Sequence, residues 1–204
     1  MSTGRKDRKE RLTANNSGVW ASSSSDFTRA VRKIYVHSIE HAKSCNGNFS
    51  VYTLPAIPLV FSALRALLIE CNTGMFGNQR DDAALEKLAK NSNELDFIKE
   101  HYDIAEQHLI DLAMLYEARN EIVHPAHTPT GTHHNTPKYL ERLRELDLLE
   151  PGTWISQLQS HKLLVWSLKL NEEVVARILD KHHANPEQRE FHMRTYTLYR
   201  EHNL

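Results

Sequence analysis

The chain has 204 residues, a length that suits one domain and can bury a sizeable core without disulfide or metal support. Hydrophobic residues make up 40% and charged residues 25%, the balance of a soluble globular protein, which excludes a disordered or fibrous chain. The formal net charge of -1 provides no general field to draw nucleic acid, so any RNA contact must rest on a local patch.

Only two cysteines occur, Cys45 and Cys71, too few for a disulfide framework and without the paired spacing of a zinc site, which fits a reducing cytosol. The opening residues MSTGRKDRKER are too charged for a secretory signal, and no apolar run reaches the roughly eighteen residues of a membrane span. The sequence therefore predicts a cytoplasmic protein with no membrane partner.

Residues 1–25 predict a flexible basic arm. Arg5, Lys6, Arg8, Lys9 and Arg11 stand against Asp7 and Glu10, a net +3, and four serines, Ser22 to Ser25, follow. Such an arm either touches nucleic acid or is simply solvated chain. Residues 26–204 predict a single all-α domain, with its core over about 26–183.

Asp26 offers an N-cap oxygen for a first helix running to about Lys43, with Phe27, Val31, Ile34 and Ser38/Ala42 on one face. After the loop SCNGNFSVYT, the stretch LPAIPLVFSALRALLIE is apolar on every side and predicts the central buried helix, with Pro55 and Pro58 in its first turn. Gly74 and Gly77 end that region, and a short amphipathic connector carries Leu85 and Leu88 before Asn91.

From about Asn93 one long helix is predicted, on the stripe Ile98, Tyr102, Ala105, Leu109, Leu112, Tyr116, Arg119 and Val123. Pro125 disfavours helical geometry for His124 and ends it. The polar loop AHTPTGTHHNT follows; Thr136-Pro137 restarts a helix (KYLERLRELDLL) that Glu150-Pro151-Gly152 stops. Thr153 can cap a further long helix reaching His183, and a last amphipathic helix spans 187–201 with Phe191, Leu198 and Tyr199. No segment alternates with period two and no repeat emerges, so the expected fold is an all-α antiparallel bundle of about five or six helices.

Within this pattern the string ARNEIVHP, Ala118 to Pro125, stands out. Residues four apart share a helix face, so Asn120 and His124 align, and Arg119 lies about 7.5 Å of helix rise from His124. An arginine on an apolar stripe breaks the binary pattern, as happens where function demands it. In the plainer reading Arg119 snorkels to water, Asn120 caps carbonyls and His124 meets the helix dipole. Arg followed five residues later by His also occurs at Arg32/His37 and Arg177/His182. The third instance is set apart by Asn after Arg, two aliphatics before His, Pro after it, and a long amphipathic helix leading in.

That texture resembles the Arg-X4-6-His motif of the HEPN superfamily, carried near the end of a core helix in an all-α bundle. The likeness extends over the helical order from about Asp26 to His183, where it is architectural only. It implies a metal-independent endoribonuclease, or an inactive relative that binds RNA or nucleotides, in toxin–antitoxin, phage-defence or RNA-processing settings. Carried over by position, Arg119, Asn120 and His124 are the expected catalytic residues, with no cofactor and no metal. The resemblance further implies a homodimer whose two motifs face one cleft, and a possible antitoxin or other regulatory protein as partner. Ala126 stands where some family toxins carry a modifiable tyrosine, which speaks against that form of control.

Two rival readings remain. His124, His127, His133 and His134 crowd one loop and could bind zinc, yet they match no helical His-Glu-X-X-His pattern. Alternatively, the same bundle could be a non-catalytic RNA- or nucleotide-binding or scaffold protein. Arg65, isolated in the apolar second helix, is expected to be buried and paired with an acid such as Glu70 or Glu117. Trp154 and Trp166 are expected to pack the core or a subunit interface.

Overall fold

The computed structural model describes residues 23–45, 47–76, 78–90, 94–124, 137–152, 154–183 and 185–197. Among them run eight α-helices: α1 (Ser23–Ser44), α2 (Thr53–Asn72), α3 (Asp82–Lys90), α4 (Glu94–His101), α5 (Glu106–Val123), α6 (Lys138–Glu145), α7 (His161–His182) and α8 (Pro186–Tyr196). A 3-10 turn, Trp154–Leu158, precedes α7. The described residues form no strand, only an isolated bridge between Phe49 and Ser160.

Helix α2 organises the bundle. It is apolar all round, with Ala56, Ile57, Val60, Phe61, Leu64, Leu67, Leu68 and Cys71 buried, and it packs against α1, α3, α5 and α7. By length and composition it is the one described helix that could cross a membrane, and 56% of that stretch is buried inside the protein. It begins at Thr53, so Pro55 falls in the first turn while Pro58 lies inside the helix. Proline there removes one backbone donor; the surrounding side chains, almost fully buried, hold the helix regardless. Gly74, with φ of 84°, turns the chain away from α2, and a Cβ there would meet the Asn78 carbonyl oxygen at 3.0 Å.

Several boundaries differ from the sequence reading, each for a tertiary reason. Helix α1 starts at Ser23, so Ser23 to Ser25 belong to it and not to the arm. The buried Glu70 carboxylate accepts the Ser24 backbone N–H at 2.9 Å and the Ser24 hydroxyl as well; a side chain from α2 thus does the capping expected of Asp26. The remaining arm residues, 1–22, lie outside the described residues. The single long helix expected over 93–124 is two helices. Tyr102 and Ile104 are both 7% exposed; a helix would turn them about 200° apart, whereas extended backbone puts both on one side.

Helix α6 ends at Glu145, because Asp147 takes a left-handed conformation (φ 54°) that turns Leu148 into the core. Ser160, not Thr153, caps α7, accepting the Leu163 N–H at 3.2 Å. The helix expected over 187–201 is described from Pro186 to Tyr196, with Phe191 68% exposed; Leu198 and Tyr199 lie outside the described residues. Trp166 packs against the main core.

Arg65 is buried against an acid, as its isolation suggested, but the partner is Glu94 of α4 and neither Glu70 nor Glu117. The side chains are 18% and 9% exposed, and Arg65 Nη2 also donates to the Leu88 carbonyl at 2.8 Å. Removing one partner of a buried pair strands the other charge. Glu94→Ala is therefore expected to destabilise the fold by about 3 kcal/mol, seen as a lower urea midpoint at unchanged slope; an unaltered midpoint would show the pair to be dispensable.

Burial holds the imidazoles of His161, His182, His183 and His192 below their usual range, His182 down to about 4. His182 is engaged on both ring nitrogens, by Asn78 Nδ2 at 3.2 Å and the Tyr102 hydroxyl at 3.0 Å. In the unfolded chain such rings titrate near about 6.5. Between that value and about 4 the unfolded state binds more protons than the folded one, so stability falls as pH falls through this window. Urea midpoints measured across it should drop on acidification, and His182→Gln should flatten the slope.

Candidate functional site at the end of helix α5

The buried face of α5 is Asp111, Leu112, Leu115 and Ala118. The predicted stripe had drifted from this face: Val123 is 39% exposed, and Arg119 sits half-buried on the shoulder next to Ala118. A shoulder is where an arginine can lay its stem on the core and keep its head near water.

Arg119 and Asn120 come together. Arg119 Nη1 donates to Asn120 Oδ1 at 2.8 Å, and the guanidinium carbon lies 5.8 Å from the centroid of the Tyr116 ring, within range of a cation–π contact. Arg119 Nε is buried and has no hydrogen-bond partner among the described residues. Asn120 uses only one of the five N–H bonds, and the donors left to face a ligand are those on the Nη atoms rather than the buried Nε.

His124 is joined to the pair through its backbone. It is the C-terminal cap of α5, with φ −131° and ψ 65°, and its N–H donates to the Asn120 carbonyl at 2.8 Å. Those dihedrals leave the helix, as expected before Pro125. The side chain is exposed, and among the described residues no hydrogen bond or ion pair ties its ring to Arg119 or Asn120. Within one chain, then, the structure gathers a guanidinium and an amide, with an imidazole at the adjoining helix edge.

Three further residues belong to this neighbourhood. Tyr116 stands edge-on to Phe61 of α2, centroids 5.3 Å apart. Burial first, and then the Glu94 carboxylate, push its phenol up, against the pull of Arg119, Arg65 and a hydrogen bond with Asn120. Tyr116 thereby links the buried Arg65–Glu94 pair to the exposed end of α5. Tyr116 was detectable, being one turn before Arg119; Arg65 was marked by its isolation in an apolar helix, but nothing in the sequence placed it or Glu94 beside Tyr116.

On the α6 side, burial and then Glu121 and Glu117 push the Tyr139 phenol up to about 12, so two carboxylates flank α5 near its end. Helix α6 is fastened to the earlier part of α5 by Arg142, whose Nη2 lies 3.4 Å from the buried Asp111.

Of the loop histidines, His127, His133 and His134 lie outside the described residues. Among the described residues, no group of three or more His, Cys, Asp or Glu side chains is placed to hold a metal ion. Set against protein-family models, curated proteins and solved structures, the chain gives no match.

Chemically, a guanidinium with unused donors suits a phosphate oxygen, which it can meet with two parallel N–H bonds. An exposed imidazole suits proton transfer near neutral pH. Because the His124 ring is exposed and has no hydrogen bond or ion pair among the described residues, His124→Ala is expected to change stability by no more than about 0.5 kcal/mol. Asn120→Ala, which removes the half-buried contacts with Arg119 and Tyr116, should cost about 1–2 kcal/mol. Denaturation curves check both, and a larger loss for His124→Ala would assign that ring a structural duty.

Proposed function

We propose that this chain is an HEPN-like, metal-independent endoribonuclease that acts as a homodimer, with Arg119, Asn120 and His124 as its working residues. The observation that supports it most is the Arg119–Asn120 hydrogen bond of 2.8 Å on the last turn of α5, beside an exposed His124. The reaction needs a base, an acid and a cation, and these residue types supply all three.

In that reaction a histidine takes the proton of the ribose 2'-hydroxyl, and the 2'-oxygen attacks the adjacent phosphorus. The bond from phosphorus to the 5'-oxygen breaks, and a second histidine returns a proton to that oxygen. Arg119 holds the non-bridging oxygens as negative charge builds on them, and Asn120 fixes the plane of the guanidinium. One His124 cannot serve both ends of an in-line displacement at once. A second protomer supplies the other histidine and a second arginine, which is why the reading includes a dimer.

A non-catalytic role is favoured by a different observation: among the described residues nothing orients the exposed His124 ring toward Arg119 or Asn120. In that case the same end of α5 binds an RNA or nucleotide phosphate without cutting it.

The two readings separate in one experiment. Labelled single-stranded RNA is given to wild type, Arg119→Ala and His124→Ala proteins with chelator present. The nuclease reading expects 2',3'-cyclic phosphate and 5'-hydroxyl ends from wild type, and a loss of at least about a hundredfold in both variants. Products with 3'-hydroxyl ends that require added magnesium would overturn it. Binding by wild type without any cleavage, weakened in Arg119→Ala, would establish the binding role.

A further inference from the structure

Between α4 and α5 runs an open groove of about 530 Å³. Its floor is apolar, with Leu95, Ile110 and Met114 among the side chains that line it, and Ile110 is 42% exposed. Asp96, Glu106 and Glu117 line it as well, against one cation, Lys99. None of these four charged side chains is held in an ion pair among the described residues. The groove therefore presents an apolar strip with a net negative border and asks for an occupant with the opposite pattern.

We propose that the basic segment RKDRKER, residues 5–11 of this same chain, docks in the groove between α4 and α5. Two observations select it over other occupants. The first is charge: the segment carries five cations against two acids, and the groove carries three carboxylates against one ammonium. Lysine and arginine also bring long methylene stems, which lie along an apolar floor while their heads reach the border.

The second observation is reach. The chain enters the described fold at Ser23, whose neighbour Ser24 is fixed to Glu70 near the C-terminal end of α2. The groove's edge residue Tyr116 rests on Phe61 of the same helix. Nine residues of helix rise and two interhelical spacings separate those points by about 25 Å. The twelve residues from Arg11 to Ser23 span up to about 40 Å. A tethered segment within reach meets its site at an effective concentration in the millimolar range, so weak individual ion pairs suffice.

The test uses the full chain. A carbodiimide joins an amine directly to a carboxylate, so docking is read as Lys6 or Lys9 coupled to Asp96, Glu106 or Glu117, identified by mass spectrometry. A mixture of isotope-labelled and unlabelled protein tells couplings within one chain from those between two. The proposal expects same-chain couplings concentrated on those three carboxylates, with the coupling to Asp96, the acceptor both proteins keep, about tenfold lower in Glu106→Lys/Glu117→Lys and lower again at high salt.

Both substituted side chains are exposed, so the double variant should keep the wild-type urea midpoint; should it not, Ile110→Lys makes the same test through the floor. Couplings scattered over carboxylates elsewhere, or insensitive to the variants, overturn the proposal. Mixed-isotope couplings overturn it too, and assign the groove to the arm of a second copy.

Discussion

The bundle depends on one helix being wanted on all its sides. Helix α2 offers apolar side chains around its whole circumference, and burying each one removes its surface from water at a gain of roughly 25 cal/mol per Å². No single neighbour can cover such a helix, so α1, α3, α5 and α7 close around it. The one cation within it, Arg65, is tolerable only because Glu94 and the Leu88 carbonyl meet it. That pair anchors the start of α4 against α2, and α5 packs against both.

The end of α5 inherits its geometry from this arrangement. Phe61 of α2 fixes the Tyr116 ring, Tyr116 carries the Arg119 guanidinium on its face, and Asn120 holds one of its nitrogens. A side chain with about 2 kcal/mol of rotamer entropy is thus restrained from two directions before any ligand arrives. Preorganisation of this kind is what a phosphate-binding arginine needs. His124 is treated differently: the proline that follows it throws its backbone out of the helix and leaves its ring in solvent. A rigid cation and an adjustable imidazole side by side suit a site that is completed by something approaching from outside.

Element type and order were legible because they follow from local pattern. The all-round apolarity of 53–72 and the proline stop after His124 each carry their own signal in a few residues. What escaped were decisions made across the fold. The break between α4 and α5 contains neither glycine nor proline; it exists because Tyr102 and Ile104 both find cover on the same side. The cap of α1 is a glutamate from α2, and Arg65 chose Glu94 because α4 turned back, which no window of sequence contains. At the site itself, the residue types of ARNEIVHP were visible, whereas the drift of the stripe that moved Arg119 from the centre of the buried face to its shoulder was not. A short break upstream resets the phase of every residue after it.

Charge sets the remaining condition on the proposed chemistry. Helix α5 carries Glu106, Asp111, Glu117 and Glu121 but a single cation, Arg119. Asp111 is matched by Arg142, and Glu117 and Glu121, one turn apart, bear on Tyr139 of α6 beside the same helix end. A polyanion meeting one protomer alone would gain one guanidinium and face two carboxylates. A second protomer doubles the cations at a shared phosphate, and a basic segment lying over Asp96, Glu106 and Glu117 would cancel the negative border beside them. The proposed dimer and the proposed docking of the arm would act on one quantity, the local potential at the end of α5, and each would make the approach of a phosphate less costly for the same electrostatic reason.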